Sequence, residues 1–229
     1  MLLSRIHLDP RNHDARRDLA DPYQLHASLS RAFSPPERPC PPGEVLWRLE
    51  PETDAAGFPR VLVQSRSMPD WSRLPPGWLA REEPAIDLAD KLRLDALATG
   101  ARFRFRLRAN PCKTSNGKRV GLMSGADQRA WLERKAAQLG FALPKPVSAD
   151  YFDFQTQPDA RPYRDFRVTH GEMLTGHQHD GNAIRVYAVL FEGRLSVTHP
   201  EAFRQALASG IGHGKVMGLG LLSVMPAAD

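Results

Sequence analysis

The chain has 229 residues, 41% apolar and 25% charged, with 31 Lys and Arg against 26 Asp and Glu and a formal net charge of +5. That length fits one large or two small globular domains with a core in each. Its apolar runs fall far short of the ~20 residues of a membrane span, and Arg5 and His7 interrupt the N-terminal run, so neither a signal peptide nor an anchor is expected.

Leu2 to Leu8 reads as a strand that Asp9-Pro10 ends. At Asp21-Pro22-Tyr23-Gln24 an N-cap aspartate, a proline at the first helical position and a glutamine at N3 predict a helix over about 22 to 33. Leu25, Leu29 and Ala32 form its apolar stripe, and Tyr23, His26 and Ser30 share an adjacent face. Ser34 to Gly43 holds five prolines and must be a loop. Val45 to Glu50 and Arg60 to Ser65 are strand-like and expected to pair as a hairpin. Met68 to Arg73 suggests a short helix. From Leu74 to Gly100 prolines and charges accumulate, which reads as the connection between domains, with 86–100 as the linker proper. Cys40 in the proline loop and Cys112 further on lack zinc or redox spacing and are expected as free thiols in a reducing cytoplasm.

Residues 102 to 108 alternate strictly, with Phe103, Phe105 and Leu107 on one face and Arg102, Arg104, Arg106 and Arg108 on the other. Like charges in a row repel, and these recur every ~6.6 Å along a strand, comparable with the spacing of phosphates. Together with Lys113, Lys118 and Arg119 they make seven cations and no acid between 102 and 119. The row is therefore expected to lie against RNA or DNA rather than against acids of a neighbouring strand. Ser124 caps a helix running to about Leu139, and Gly140 ends it. Arg185 to Val197 reads as a hairpin turning at Glu192-Gly193, and His199-Pro200 opens a last helix that Gly210 stops. The order is β-α-β-β in the first half and β-α-β-β-α-β in the second. Between the helix ending at Leu139 and that hairpin, Ser148 to Asn182 reads as a basic insertion carrying Arg161, Arg164, Arg167 and His170. His170, His177, His179 and Asp180 are ligand types for zinc or manganese. No strand or helix is expected there to fix their geometry, and no metal is assigned.

Gly210 to Ser223 holds five glycines and Lys215. Repeated positive φ would let its N–H groups face an anion. It is not a nucleotide P-loop, because one residue is missing before Gly214-Lys215 and Val216 stands where a hydroxyl would bind Mg²⁺. No G-x-G-x-x-G can be read in it either.

Asp9-Pro10 after the first strand, Leu19 to His26, Leu46-Trp-Arg-Leu49, Phe103 to Pro111 with Gly117-Lys-Arg119, Ala188 to Gly193, and Gly212-His-Gly-Lys215 through Leu222 together resemble the CasE family. These are the CRISPR RNA-processing endoribonucleases of the type I-E Cascade complex. The resemblance covers nearly the whole length and leaves the 148–182 insertion and the proline-rich loop unaligned. It implies an α+β fold of two tandem ferredoxin-like (RRM-like) domains, residues 1–85 and 101–229, each an antiparallel sheet with helices on one face. It also implies binding of CRISPR repeat hairpin RNA, contact with other Cascade subunits, and metal-independent cleavage of the 3′ strand of the stem, with no cofactor and no membrane. By motif position Tyr23 and His26 take the catalytic places and Arg31 a basic place near the scissile phosphate. Gly212, Gly214 and Lys215 would hold the RNA backbone, and Arg161, Arg164 and Arg167 of the unaligned insertion are assigned to the major groove of the stem on charge and location alone. The chemistry is attack by a 2′-hydroxyl on its own 3′-phosphate, giving a cyclic phosphate and a 5′-hydroxyl, with His26 as general acid or base. Two alternatives remain. A non-catalytic RNA-binding subunit would not need Tyr23 and His26 together, and a metal-dependent phosphoesterase would use His177-Gln-His179.

Overall fold

The computed structural model describes residues 1–35, 37–144, 166–178 and 180–227. Arg161, Arg164 and His179 lie outside them, as does the side chain of His170. In the N-terminal half β1 (Leu2–Leu8) is central. It pairs antiparallel with β3 (Pro59–Ser65) on one side and with β4 (Leu79–Glu82) and the short β5 (Ile86–Asp87) on the other. β2 (Val45–Thr53) lies outside β3, so the sheet order is β2-β3-β1-β4. α1 (His13–Ala20) and α2 (Pro22–Arg31) cover one face. Leu25 and Leu29 of α2 bury against Ile6, Leu8, Trp47, Val61 and Val63 of the sheet. α1 has no counterpart in the sequence reading, because its buried positions are Ala15 and Asp18 and it offers no apolar stripe. Asp18 is satisfied by Ser28 Oγ at 2.5 Å and Trp78 Nε1 at 2.9 Å, which fixes α1 against α2 and the sheet.

The C-terminal half is centred on β6 (Arg102–Ala109), flanked by β11 (Ala183–Val197) and β12 (Leu222–Pro226), with β10 (Phe166–His177) outermost. The order β10-β11-β6-β12, with α4 (Gly125–Gln138) after β6 and α5 (Pro200–Ser209) before β12, is a complete ferredoxin-like unit. Phe103, Phe105 and Leu107 bury under Trp131, Leu132 and Phe203, and Trp131 stacks on Phe191 at 6.1 Å. A separate hairpin, β7 (Cys112–Ser115) and β8 (Lys118–Gly121), turns at Asn116-Gly117, where φ is +49° and +72°. Asn-Gly with both central φ positive is the preferred two-residue hairpin turn.

Two expectations are corrected. Glu192-Gly193 is no turn, because β11 runs unbroken through it, with Glu192 opposite Arg106 on one side and Arg167 on the other. Its hairpin partner is β10, which lies within the stretch read as an insertion. Nor is the connection after residue 85 bare linker, since Ile86 and Asp87 pair with Leu3 and Leu2 and residues 88–92 form a short helix.

The halves meet along β2, an edge strand. Arg48, 1% exposed, reaches across to the carbonyls of Arg106 at 3.1 Å and Leu221 at 3.2 Å and pairs with Glu50 at 2.7 Å. Gln64 donates to the carbonyl of Leu207 at 2.8 Å.

Candidate active site

Asp21 begins the site. It caps α2 through Tyr23 N at 2.9 Å and also takes hydrogen bonds from His177 at the end of β10, 3.0 Å from the backbone N–H and 2.9 Å from Nδ1. Burial pushes its carboxyl up, but the hydrogen bonds from His177, Tyr23 and Gln24 bring it net below the usual aspartate value. The helix is thereby pinned to the C-terminal sheet at the turn that carries Tyr23 and His26. His177 is engaged with this cap.

Tyr23 and His26 stand one turn apart on α2. Tyr23 packs with Met217 and Leu219 from the glycine-rich segment. Behind His26 lies Trp47 of β2, 2% exposed, whose indole N–H donates to His26 Nδ1 at 3.2 Å. Burial lowers the His26 pKa below the ordinary histidine value, which favours the neutral ring. Arg31 is exposed in the last turn, five residues on and so about 140° around the helix from His26. The structure brings Tyr23, His26 and the glycine segment together, and Arg31 stands apart from them.

The five glycines of the segment all take positive φ. Two show why nothing larger fits. A Cβ on Gly218 (φ +73°) would lie 2.6 Å from the six-membered ring of Trp47, and one on Gly210 would lie 2.8 Å from the carbonyl oxygen of Gly220. The segment closes on itself through Ile211 N to Gly220 O at 2.8 Å. A 3₁₀ turn over Lys215–Met217 packs against α2.

On its other side the segment lines a cavity of about 330 Å³ with Lys113, Arg119, Lys135, His213 and Lys215 on its walls and no acid among its lining residues. None of these cations has an ion pair among the described residues. Burial, then Arg119, Lys135 and Lys215, lower the His213 pKa. The neighbouring hairpin β7–β8 holds Lys118 exposed on its rim. Lys135 and His213 were missed from the sequence because each looks like an ordinary surface residue until the glycine segment turns back onto α4.

The arginine row needs correction. Arg106 bonds Glu192 at 2.6 Å and Glu50 at 2.5 Å, and Arg108 pairs with Glu172. The acids come from β11, β2 and β10, so a count confined to residues 102–119 could not see them. Arg102 and Arg104 are exposed and carry no ion pair among the described residues, and Arg167 is exposed on β10.

A family model described as CRISPR associated protein matches residues 1–226. The CRISPR-associated endoribonuclease Cse3 of Thermus thermophilus is 42% identical over 99% of this chain and 100% of its own. The CRISPR system Cascade subunit CasE of Escherichia coli K12 is 31% identical over 93% of this chain and 96% of its own. A structure of Cse3 bound to a 19-nucleotide RNA superposes with a TM-score of 0.80 at 38% identity, covering 99% of this chain and 100% of that one.

Proposed function

From the premise that the chain belongs to the family of CRISPR-associated proteins, we propose that it is an endoribonuclease that binds the hairpin of a CRISPR repeat, cuts precursor CRISPR RNA without a metal ion, and remains with the other Cascade subunits. The observation that carries this reading is His26, whose imidazole Nδ1 accepts from the Trp47 indole N–H, beside Tyr23 and the glycine segment.

The 2′ oxygen attacks phosphorus, the P–O5′ bond breaks, and the products are a 2′,3′-cyclic phosphate and a 5′-hydroxyl. One proton leaves the 2′-hydroxyl and one arrives on O5′, so none is consumed. His26 sits at this exchange, and a positioned hydrogen-bond donor to charge that develops in the transition state contributes about 10²–10³-fold. The Tyr23 hydroxyl orients the reacting groups. Lys215, on the wall of the cationic cavity, holds a phosphate of the bound RNA. RNA leaving the site follows the glycine segment into the cationic cavity, where Lys113, Arg119 and Lys135 meet its phosphates. Arg102, Arg104 and Arg167 remain available to the backbone, whereas Arg106 and Arg108 serve the fold. Cys40 and Cys112 are free thiols, which suits the cytoplasm as the place of action.

The test is a repeat hairpin with a single deoxyribose immediately 5′ of the scissile phosphate. Cleavage stops with or without EDTA, and the modified hairpin inhibits cleavage of the normal one, since one hydroxyl contributes only about 0.5–1.5 kcal/mol to binding. A cut at the modified position overturns the mechanism. Cleavage of the normal hairpin that EDTA abolishes would instead support a metal-dependent phosphoesterase, and binding without any cleavage a non-catalytic subunit.

A further inference from the structure

His26 Nδ1 and the Trp47 indole N–H are 3.2 Å apart. An indole nitrogen donates and never accepts, so the shared proton belongs to Trp47 and Nδ1 is the acceptor. Trp47 cannot swing away easily, since it is 2% exposed, is fixed in β2 opposite Val63, and carries the backbone of Gly218 against its six-membered ring. A neutral imidazole with Nδ1 accepting must carry its hydrogen on Nε2, and Nε2 has no partner among the described residues.

We propose that Trp47 is a positioning residue that holds His26 in the Nε2–H tautomer, so that the ring meets the scissile phosphodiester as a hydrogen-bond donor rather than as a base. This rests on the reading of His26 as the group at the scissile phosphate. As the P–O5′ bond breaks, the electron pair stays on O5′ and Nε2–H hydrogen-bonds to it. Water takes the 2′-hydroxyl proton and water returns one to O5′. A base at Nε2 would need the opposite tautomer, whose Nδ1–H would point at the indole N–H. The imidazolium is disfavoured for the same reason, in addition to burial. Of the titratable groups on the elements packed around His26, Tyr23 lies on the same helix, Asp21 at its cap, His177 on β10 and Lys215 on the packed turn, Arg31 stands on another face of the helix, and β2 presents the uncharged Trp47.

Ring-¹⁵N histidine spectra of the RNA-free protein, with His26 identified by its absence from His26→Gln, test this directly. The expected wild-type signals are an unprotonated Nδ1 and a protonated Nε2. Trp47→Phe should give a tautomer mixture and a raised pKa, and lower kcat by roughly 2- to 10-fold with KM unchanged, the value of one hydrogen bond. If Trp47→Phe does not fold, site-specific benzothienylalanine keeps the ring shape and removes only the N–H. A protonated Nδ1 in the wild type overturns the proposal. So does a folded variant whose tautomer, pKa and kcat are all unchanged, which would reduce the contact to a satisfied buried N–H. Failure of the underlying reading looks different, because His26→Ala would then cleave normally whatever the spectra show.

Discussion

Gly218→Ala isolates the contact on which the site depends. Alanine at φ +73° and ψ +28° costs about 1–2 kcal/mol in left-handed strain. Its Cβ would also lie 2.6, 2.7 and 2.9 Å from three ring atoms of Trp47, where carbon contacts prefer ~3.5–4.0 Å, so the indole must move by about 1 Å. Overpacking of that kind costs ~1–3 kcal/mol, for a total of roughly 2–5 kcal/mol. Gly57→Ala is the matched control, because Gly57 has φ +83° and no atom within 4 Å of its added Cβ, leaving only the strain of ~1–2 kcal/mol. At ~2–4 °C per kcal/mol for a chain of this size, thermal unfolding should separate the two variants. The displaced indole can no longer hold the His26 ring. Single-turnover cleavage measured below both transitions should therefore fall in Gly218→Ala and stay at the wild-type level in Gly57→Ala, with hairpin affinity retained in each. The reasoning is refuted if Gly218→Ala costs no more stability than Gly57→Ala and cleaves at the wild-type rate.

His26→Ala should lower cleavage by at least about 10²-fold while leaving the Kd for the hairpin unchanged, as measured by single-turnover kinetics and a binding titration. Arg106→Gln should reduce stability by about 1–3 kcal/mol, read by urea unfolding, because it leaves Glu50 and Glu192 short of a partner; the salt dependence of RNA binding should not move. Lys135→Gln should do the opposite, flattening the salt slope by about 0.7–0.9 without affecting unfolding. Asp21 has a folded pKa below its ordinary 3.8, so its stabilisation is present above that pH and lost as pH falls through the folded value. The stability gap between wild type and Asp21→Asn should accordingly close below about pH 3.8 in acid titrations.

Local patterns were legible where local forces decide. The alternation of β6, the Asp21-Pro22 start of α2 and the stop at Gly210 each follow from residues within a few positions, and all appear in the structure. β10 escaped notice because Gly171 and Gly176 dilute its strand character, and its ladder to β11 is what extends it. Gly176 sits where a Cβ would meet Met217 and Tyr23, so the feature that hid the strand is one that lets α2 approach it. Glu192-Gly193 looked like a turn because what holds it straight lies outside it, β6 far back in the chain and β10 across a hairpin that turns between His177 and Ala183 instead. The same remoteness hid the pairing of Arg106, whose acids lie 86 and 56 residues away, and the Trp47 bond to His26 across 21 residues. The Asn116-Gly117 hairpin was readable from its dipeptide and was overlooked beside the charges around it.

The location of the site follows from how an open sheet edge is closed. β2 ends the N-terminal sheet, and an uncovered edge offers unpaired backbone groups to other chains. Here the glycine segment of the C-terminal half lies along it, with Leu46 against Gly210, Trp47 against Gly218, and Arg48 bonded to the carbonyl of Leu221. Successive strand residues point to opposite faces, so Trp47 turns inward to α2 and His26 while Arg48 turns the other way and bonds the carbonyls of Arg106 and Leu221. One strand thus carries both the bond that orients the imidazole and the bonds that dock the halves. His213 and Lys215 of the cationic cavity ride on the same segment that covers this edge, whereas Lys113, Arg119 and Lys135 reach the cavity from β7, β8 and α4. The segment that closes the edge therefore carries both Gly218, packed on the Trp47 ring behind His26, and Lys215 of the cavity wall.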